Sequence, residues 1–307
     1  MISIYIKDKN FITVPEKICA AIGNFDGVHL GHQRLIEECK KQCAEKGYKS
    51  AVLTFYPHPS VFLKKMTNYP LLTPLETKTE VISRLGIDYL IVVEFNEELA
   101  SMTKEEFMTA MHQMNIVSCV CGYDFTFARK AEGTIRDLEK EFEFHEVKKY
   151  VYDDVRVSST LIRELIREGD IHEANRLLGR QYTISGKVRY GSQNGRTIGF
   201  PTANINYRNA FLPKTGVYFV NVIHDGEIYL GMANIGHNPT VNFSDEIKLE
   251  VNIFNFDSDI YDQRLDIVFI ERIRDEHRFN NLEELKKQLI IDKAQCLEYA
   301  GDMNYTK

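Results

Sequence analysis

The sequence predicts an α/β chain in two parts: a parallel sheet with helices on both faces, then a small antiparallel β-barrel with a terminal helix. Three observations predict it. Up to about residue 180, apolar runs suited to buried strands alternate with helical patterns. From Tyr182 onward, short alternating strands are separated by turn signals. The length of 307 residues favours two domains at roughly 100–200 residues each.

In the first part, strands are expected at Ile18–Ile22, Ala51–Phe55, Tyr89–Phe95 and Val117–Cys121. Between the first two, Gly31–Lys46 places Leu35, Ile36, Cys39 and Cys43 along one helical face. Thr73-Pro74-Leu75-Glu76 has the form of a helix start with a capping Thr and a first-turn Pro, and Thr103-Lys104-Glu105-Glu106 that of a capping box. Strands joined through helices imply a parallel sheet, and such sheets bind ligands beyond the carboxyl ends of their strands. In the second part, strands are expected at Thr183–Tyr190, Gly216–His224, Ile228–Ile235, Ile247–Phe256 and Leu265–Glu271. His224-Asp225-Gly226-Glu227 reads as a hairpin turn. The chain closes with an amphipathic helix over about 282–299, capped by Asn281 with Glu284 three residues on. The boundary falls at a short linker, Gly179-Arg180-Gln181, giving domains over 1–181 and 182–307.

Composition narrows the function. Apolar residues at 44% and charged residues at 27% are globular values. A net charge of −6 opposes wrapping of nucleic acid, whose phosphates repel it. No apolar run reaches the roughly 18 residues of a membrane span, and no signal peptide is visible, so a cytoplasmic location is expected. There the six cysteines stay reduced, and they are expected to be mostly buried core thiols, since no Cys-x-x-Cys pair or fourth zinc ligand is apparent.

Two segments of the first part suit phosphate. Gly23-Asn24-Phe25-Asp26-Gly27-Val28-His29-Leu30-Gly31-His32 joins a buried strand to a helix. Its glycines permit sharp turns and close approach, and the helix start offers unpaired N–H groups and a positive dipole end. His29 and His32 can aim at one anion and stabilise charge growing on a phosphoryl oxygen. Val157-Ser158-Ser159-Thr160-Leu161-Ile162-Arg163 opens another helix, with hydroxyls able to bond phosphate and Arg163 one turn on. Alone, this second stretch fits an ordinary capped helix equally well.

In the second part, Gly191-Ser192-Gln193-Asn194-Gly195-Arg196-Thr197 superficially matches a Walker A loop, but Arg196 stands where Lys belongs and Pro201 holds Phe200 extended, so no helix follows. What remains is a glycine loop before an extended Pro201-Thr202-Ala203-Asn204. Thr202 and Asn204 point to one side and offer hard oxygen donors suited to Mg²⁺. Glu250 lies opposite the apolar face formed by Ile247, Leu249, Val251 and Ile253. Each of these features also fits a plain solvated strand.

His-x-Gly-His and Ser-Ser-Thr-x-x-Arg resemble the signatures of the nucleotidyltransferase superfamily. More narrowly, the chain resembles the bacterial bifunctional riboflavin kinase/FAD synthetase family over nearly its whole length. The resemblance rests on Gly23–His32, Tyr56-Pro57-His58-Pro59, Leu72-Thr73-Pro74, Gly122-Tyr123-Asp124-Phe125-Thr126-Phe127 with Gly133, Gly195-Arg196-Thr197-Ile198-Gly199-Phe200-Pro201-Thr202-Ala203-Asn204, Pro213-x-x-Gly216-Val217-Tyr218 and Asn234-Ile235-Gly236-x-Asn238-Pro239-Thr240. It implies a nucleotidyltransferase-type Rossmann-like first domain that makes FAD and pyrophosphate from FMN and ATP. It implies a second domain that phosphorylates riboflavin to FMN. His29, His32 and Arg163 would be catalytic in the first reaction and Glu250 in the second. Gly23, Asn24, Phe25, Asp26, Gly31, Ser159, Thr160, Gly195 and Arg196 would bind ATP phosphates. Pro57, His58, Phe62, Asp124, Phe127 and Arg274 would line flavin sites, with Phe279 beside Arg274. Mg²⁺ would sit on Thr202 and Asn204. The implied partners are ATP, FMN, FAD and riboflavin, with no nucleic acid or membrane, in a monomer or weak homo-oligomer.

The sequence departs from the family's pattern at four places. Ala128 replaces a glycine, which matters if that residue needs φ > 0. Asn252, Asn255 and Asp262 replace the family's His, Asp and Gly near Glu250. These three raise an alternative: a monofunctional FAD synthetase whose kinase-like half is slowed or silent and serves flavin binding or support.

Overall fold

A computed structural model describes residues 1–63, 69–191, 194–237 and 247–302. The expected loop residues Ser192 and Gln193 and the motif residues Asn238, Pro239 and Thr240 lie outside the described residues. Contacts divide the chain into two compact units, Met1–Ser159 and Thr160–Lys307.

The first unit is built on a six-stranded sheet, in the order Ile2–Ile6, Tyr89–Glu94, Lys49–Tyr56, Ile18–Ile22, Ile116–Gly122, Glu143–Val147. Every pairing is parallel. Ile18–Ile22 is central and buried throughout, as a strand covered on both faces must be. Its alternation splits the core: Ile18, Ala20 and Ile22 face one apolar cluster, Cys19 and Ala21 the other. The four expected strands are present. The two outer ones, Ile2–Ile6 and Glu143–Val147, carry half-exposed faces and mixed polarity, so they lack the apolar run that marks the others.

The helix Leu30–Lys46 buries Leu35, Ile36, Cys39 and Cys43 as expected, and the capping box of Thr103 and Glu106 forms. Pro74, one residue beyond the expected Thr73, holds the N-cap position of Leu75–Arg84 without a side-chain bond. The Thr73 N–H is taken by the Asp26 carboxylate at 3.0 Å.

The second unit is a closed barrel in the order Tyr182–Arg189, Ala203–Asn206, Ile247–Ile253, Glu227–His237, Gly216–His224, Arg264–Arg274. The hairpin turn is as expected: His224 pairs with Glu227, and Asp225 and Gly226 have φ of 49° and 84°, the two positive values of a tight type I′ turn. The terminal helix Leu282–Asp302 starts at Asn281, whose Oδ1 accepts from Glu284 N at 2.9 Å.

The units divide earlier in the chain than the change in strand pattern at 181/182. The helices Ser159–Glu168 and Ile171–Leu178 bury Ile162, Ile166, Ile171, Ala174, Leu177 and Leu178. They are tied to the barrel through Asn175, which donates to Phe269 O at 3.0 Å and accepts from Tyr182 N at 2.6 Å, and through Lys214 N to Ile166 O. Such stripes read as helix in sequence but do not say which body they cover.

Candidate active site

The first site is the loop leaving the central strand. Gly23 N donates to Leu53 O at 3.1 Å, and three residues then turn with positive φ: Phe25 at 48°, Gly27 at 93° and Val28 at 42°. Burial holds this course, since Phe25 and Val28 are fully enclosed in the core. Phe25 and Asp26 thus serve the expected phosphate loop through backbone. The Phe25 ring is core, and the buried Asp26 carboxylate holds Thr73 rather than facing an anion. Asn24 is exposed; its carbonyl accepts from Thr54 Oγ1 at 3.1 Å and Lys78 Nζ at 2.7 Å.

The loop ends in two imidazoles. His29 is the N-cap of Leu30–Lys46, its Nδ1 accepting from His32 N at 3.3 Å. That bond leaves the His29 proton on Nε2, as a donor. The rings stack with centroids 3.7 Å apart and 14° between planes. Burial, the neighbouring His29 and then Lys78 hold His32 well below the ordinary imidazole value, so it is neutral near pH 7. His32 Nδ1 is shielded and has no hydrogen-bond partner within the protein. An orphaned polar atom at a helix start fits an anion bound there, since the helix end supplies further N–H donors. Gly31 is there for steric reasons: a Cβ would sit 3.2 Å from His29 Cε1 and Nδ1.

Ser159 Oγ donates to Asp26 O at 2.7 Å, so it braces the phosphate loop instead of capping its own helix. Thr160 is exposed, and Arg163 belongs to the second unit, its guanidinium 5.8 Å from the Phe211 ring.

The expected flavin residues separate. Phe62 is 39% exposed and rests edge-on against Phe95. Pro57 and His58 follow the strand Lys49–Tyr56, with His58 stacked on Tyr69 at 5.0 Å and accepting from Ser60 N. Asp124 is exposed and pairs with Arg156 at 3.2 Å. The Phe127 ring is buried against Phe107 at 5.2 Å and Phe125 at 6.0 Å, over Gly133, where a Cβ would meet it at 2.6 Å. It is a core aromatic, as most phenylalanines are.

Sequence reasoning missed Lys78. It is 3% exposed and held down to about 8, mainly by burial, with Asp26 opposing. The signal was available: Leu75, Lys78 and Ile82 share one helical face, and Ile82 is core.

The second site lies on the barrel. Antiparallel pairing sets Glu250 between Asn204 and Asn234, and paired residues share a face. Glu250 is largely buried, which raises its carboxyl above the ordinary value, with Lys248 opposing. Asn204 fills a cradle that only glycine leaves open, since a Cβ on Gly191 would lie 2.0 Å from its Nδ2. Gly195 is pressed likewise on Phe200 O, 2.2 Å from a built Cβ, with Thr202 Oγ1 at 3.6 Å. Thr202 and Asn204 thus offer the hard oxygen donors that suit Mg²⁺. A cavity of about 390 Å³ lies on the other side of this strand pair, lined by Arg196, Thr202, Ala203, Val251, Asp257 and Tyr261 among others, with Glu250 and Asn204 outside its lining. Arg274 Nε and Nη2 both bind the buried Asp292 carboxylate at 2.8 Å, and the Phe279 ring lies 5.9 Å off.

The FAD synthetase family profile matches residues 12–161 and the riboflavin kinase profile residues 178–300. A Bacillus subtilis protein named bifunctional riboflavin kinase/FMN adenylyltransferase is 40% identical over 296 residues, 94% of each chain. The chain belongs to that family. The Escherichia coli K12 protein of the same name is 34% identical over 301 residues, 95% of this chain and 96% of its own. A solved structure from Streptococcus pneumoniae, described as a macrolide-efflux protein, superposes with a TM-score of 0.86 at 32% identity, covering 96% of this chain and 98% of that one. No helix among the described residues is long and apolar enough to cross a membrane.

The chain's departures from the family's pattern have definite places. Ala128 has φ 65° and ψ −175°, a conformation that glycine adopts freely and other residues hold only under strain. Asn255 and Asp262 also have positive φ, at 54° and 60°, in the one region where Asn and Asp follow glycine most readily. Asn252 is buried and donates to Pro201 O at 2.6 Å, tethering the segment that carries Thr202 and Asn204.

Proposed function

We propose that the first half transfers the adenylyl group of ATP to FMN, and that the second half phosphorylates riboflavin with ATP. In the first reaction a phosphate oxygen of FMN attacks the α-phosphorus, and the bond to pyrophosphate breaks. His29 donates from Nε2 and His32 turns its unpaired nitrogen to the phosphates, so charge developing on oxygen meets fixed donors rather than reorganising water. Asn24, Gly23 and Gly31 shape the cradle; Ser159 and Lys78 hold its course. Arg163 is assigned to the triphosphate by the family motif alone. In the second reaction Glu250 takes the proton of the riboflavin 5′-hydroxyl as the hydroxyl oxygen attacks the γ-phosphorus, and the bond from that phosphorus to the β-phosphate bridging oxygen breaks to release ADP. Its raised carboxyl value makes it a better base than an exposed glutamate. Mg²⁺, when bound, neutralises polyphosphate charge. Thr202 and Asn204 would hold it in the second half, beside Arg196 and Gly195.

The observation that carries the first assignment is the stacked imidazole pair, His29 buried and His32 half-buried, with an orphaned nitrogen at the start of a helix. The silent-kinase alternative loses its footing, because Asn252 supports the nucleotide segment and Asn255 and Asp262 sit in conformations they tolerate. Two incubations test both readings. Riboflavin with Mg²⁺ and ATP is expected to give FMN and then FAD; FMN with the same mixture is expected to give FAD. Absence of FAD from the second overturns the adenylyltransferase assignment, and absence of FMN from the first restores the monofunctional alternative.

A further inference from the structure

Three of the six buried thiols converge on one spot that neither reaction uses. Cys19 comes from the central strand, and Cys39 and Cys43 from successive turns of the helix packed over it. Their sulfur atoms all lie within 4.8 Å of one another. Cys39 Sγ is 3.1 Å from Cys19 O. Cys119 and Cys121 lie on the neighbouring strand, where Cys119 pairs with Ala20, but they face the opposite apolar cluster of the sheet. Cys19 and Cys39 are fully enclosed, and Cys43 is 7% exposed, which gives the cluster an outer member. The surroundings are apolar: Val52, Ile36, Leu90 and Val120 belong to the same cluster.

That setting selects among thiophiles. Among the described residues the group holds three sulfur ligands and no fourth ligand. Structural zinc almost always takes four ligands, and a divalent ion on three thiolates leaves a net negative charge, costly in an apolar core. A trivalent metalloid meets both limits, because three thiolates satisfy its valence and leave no charge. We propose that Cys19, Cys39 and Cys43 form a three-thiol site for trivalent arsenic, taken from arsenous acid. The step is a ligand exchange: three As–S bonds form, three As–OH bonds break, and the thiol protons leave with the hydroxyls as three waters. Arsenic stays trivalent and no oxidant is needed. Cys43 engages first, and exchange passes inward.

The site links the strand that ends at Ile22 to the helix that begins after His29. Drawing the sulfurs together shifts one against the other, and an ångström of misplacement costs about 10²-fold in a positioned reaction. That consequence rests on the function proposed above; the binding itself does not.

The test uses the full chain, arsenite and glutathione. Native mass spectrometry after desalting is expected to show one arsenic gained and three hydrogens lost, reversed by 2,3-dimercaptopropanol. Cys39→Ala and Cys43→Ala are each expected to abolish retention, and Cys296→Ala to keep it. FAD formation from FMN without arsenite, carried by the unit that holds the thiols, reports that the variants are folded; in the parent chain riboflavin phosphorylation, carried by the other unit, is expected to persist under arsenite while FAD formation falls about 10²-fold. No adduct on the folded chain, an adduct surviving in both variants, or equal retention of zinc would overturn the proposal. Retention without loss of FAD formation would uphold the site and refute its coupling to catalysis.

Discussion

Lys78→Met probes a buried cation held at the edge of the phosphate loop. The ammonium is 3% exposed and lies 2.7 Å from Asn24 O. Burial brings it to about 8 from an ordinary 10.5, a difference worth about 3 kcal/mol against the folded state. Methionine keeps the length and removes the charge, but forfeits a charged hydrogen bond worth about 1.5–3 kcal/mol. Thr54 still serves the same carbonyl. At pH 7 the variant is therefore expected to be as stable as the parent, or more stable by up to ~1.5 kcal/mol. The pH dependence separates the two contributions. Below pH 8 both folded and unfolded parent chains are protonated, and the penalty is present in full. Between about 8 and 10.5 the folded chain has lost a proton that the unfolded chain retains, so parent stability rises with pH relative to the variant. Urea unfolding of both chains across pH 7–10 reads this directly. A stability difference that does not change with pH refutes the buried-charge account. FAD formation by the variant is expected to fall by about 10²-fold as the Asn24 carbonyl loses a fixed donor; unchanged turnover refutes the positioning role.

Other expectations follow from the same geometry. His29→Ala and His32→Ala should each lower FAD formation by about 10²–10³-fold with the fold intact, measured from FMN and ATP, and His29→Ala should also lose a helix cap worth about 0.5–2 kcal/mol. Glu250→Gln should cut riboflavin phosphorylation by about 10²–10⁴-fold and leave FAD formation from FMN intact. Because burial raises the Glu250 carboxyl, the acid limb of the kinase profile should lie above the ordinary carboxylate range and disappear in that variant. Ala128→Gly should relieve strain of order 1–3 kcal/mol, offset in part by glycine's greater unfolded freedom of about 0.4–1 kcal/mol, so its melting temperature should rise or hold rather than fall.

Much of this was legible in the sequence because the elements that matter carry two signals at once. The strand Ile18–Ile22 is apolar throughout and is followed by glycines and a capped helix, so both the sheet and the site declare themselves. The hairpin at Asp225-Gly226 is fixed by turn chemistry alone. Edge strands hide because a half-exposed strand has no continuous apolar run. Side-chain roles hide for a different reason. Phe127 and Arg274 stand in motif positions, yet one is claimed by the core and the other by Asp292, a residue of the terminal helix 18 positions on. Only tertiary packing decides between core, brace and ligand contact. Ser159 shows the same ambiguity: its hydroxyl was expected near phosphate, and it holds the phosphate loop from behind.

The Arg274–Asp292 pair has a consequence for anyone shortening the chain. The segment between them is polar and mostly exposed, and it looks like a safe place to cut. Ending there would leave a guanidinium lodged at the barrel's last strand without its counter-ion, a defect costing about 3–5 kcal/mol. Trimmed versions meant for crystallisation or display should therefore keep the chain through at least the helical turn that carries Asp292, and affinity tags belong beyond it.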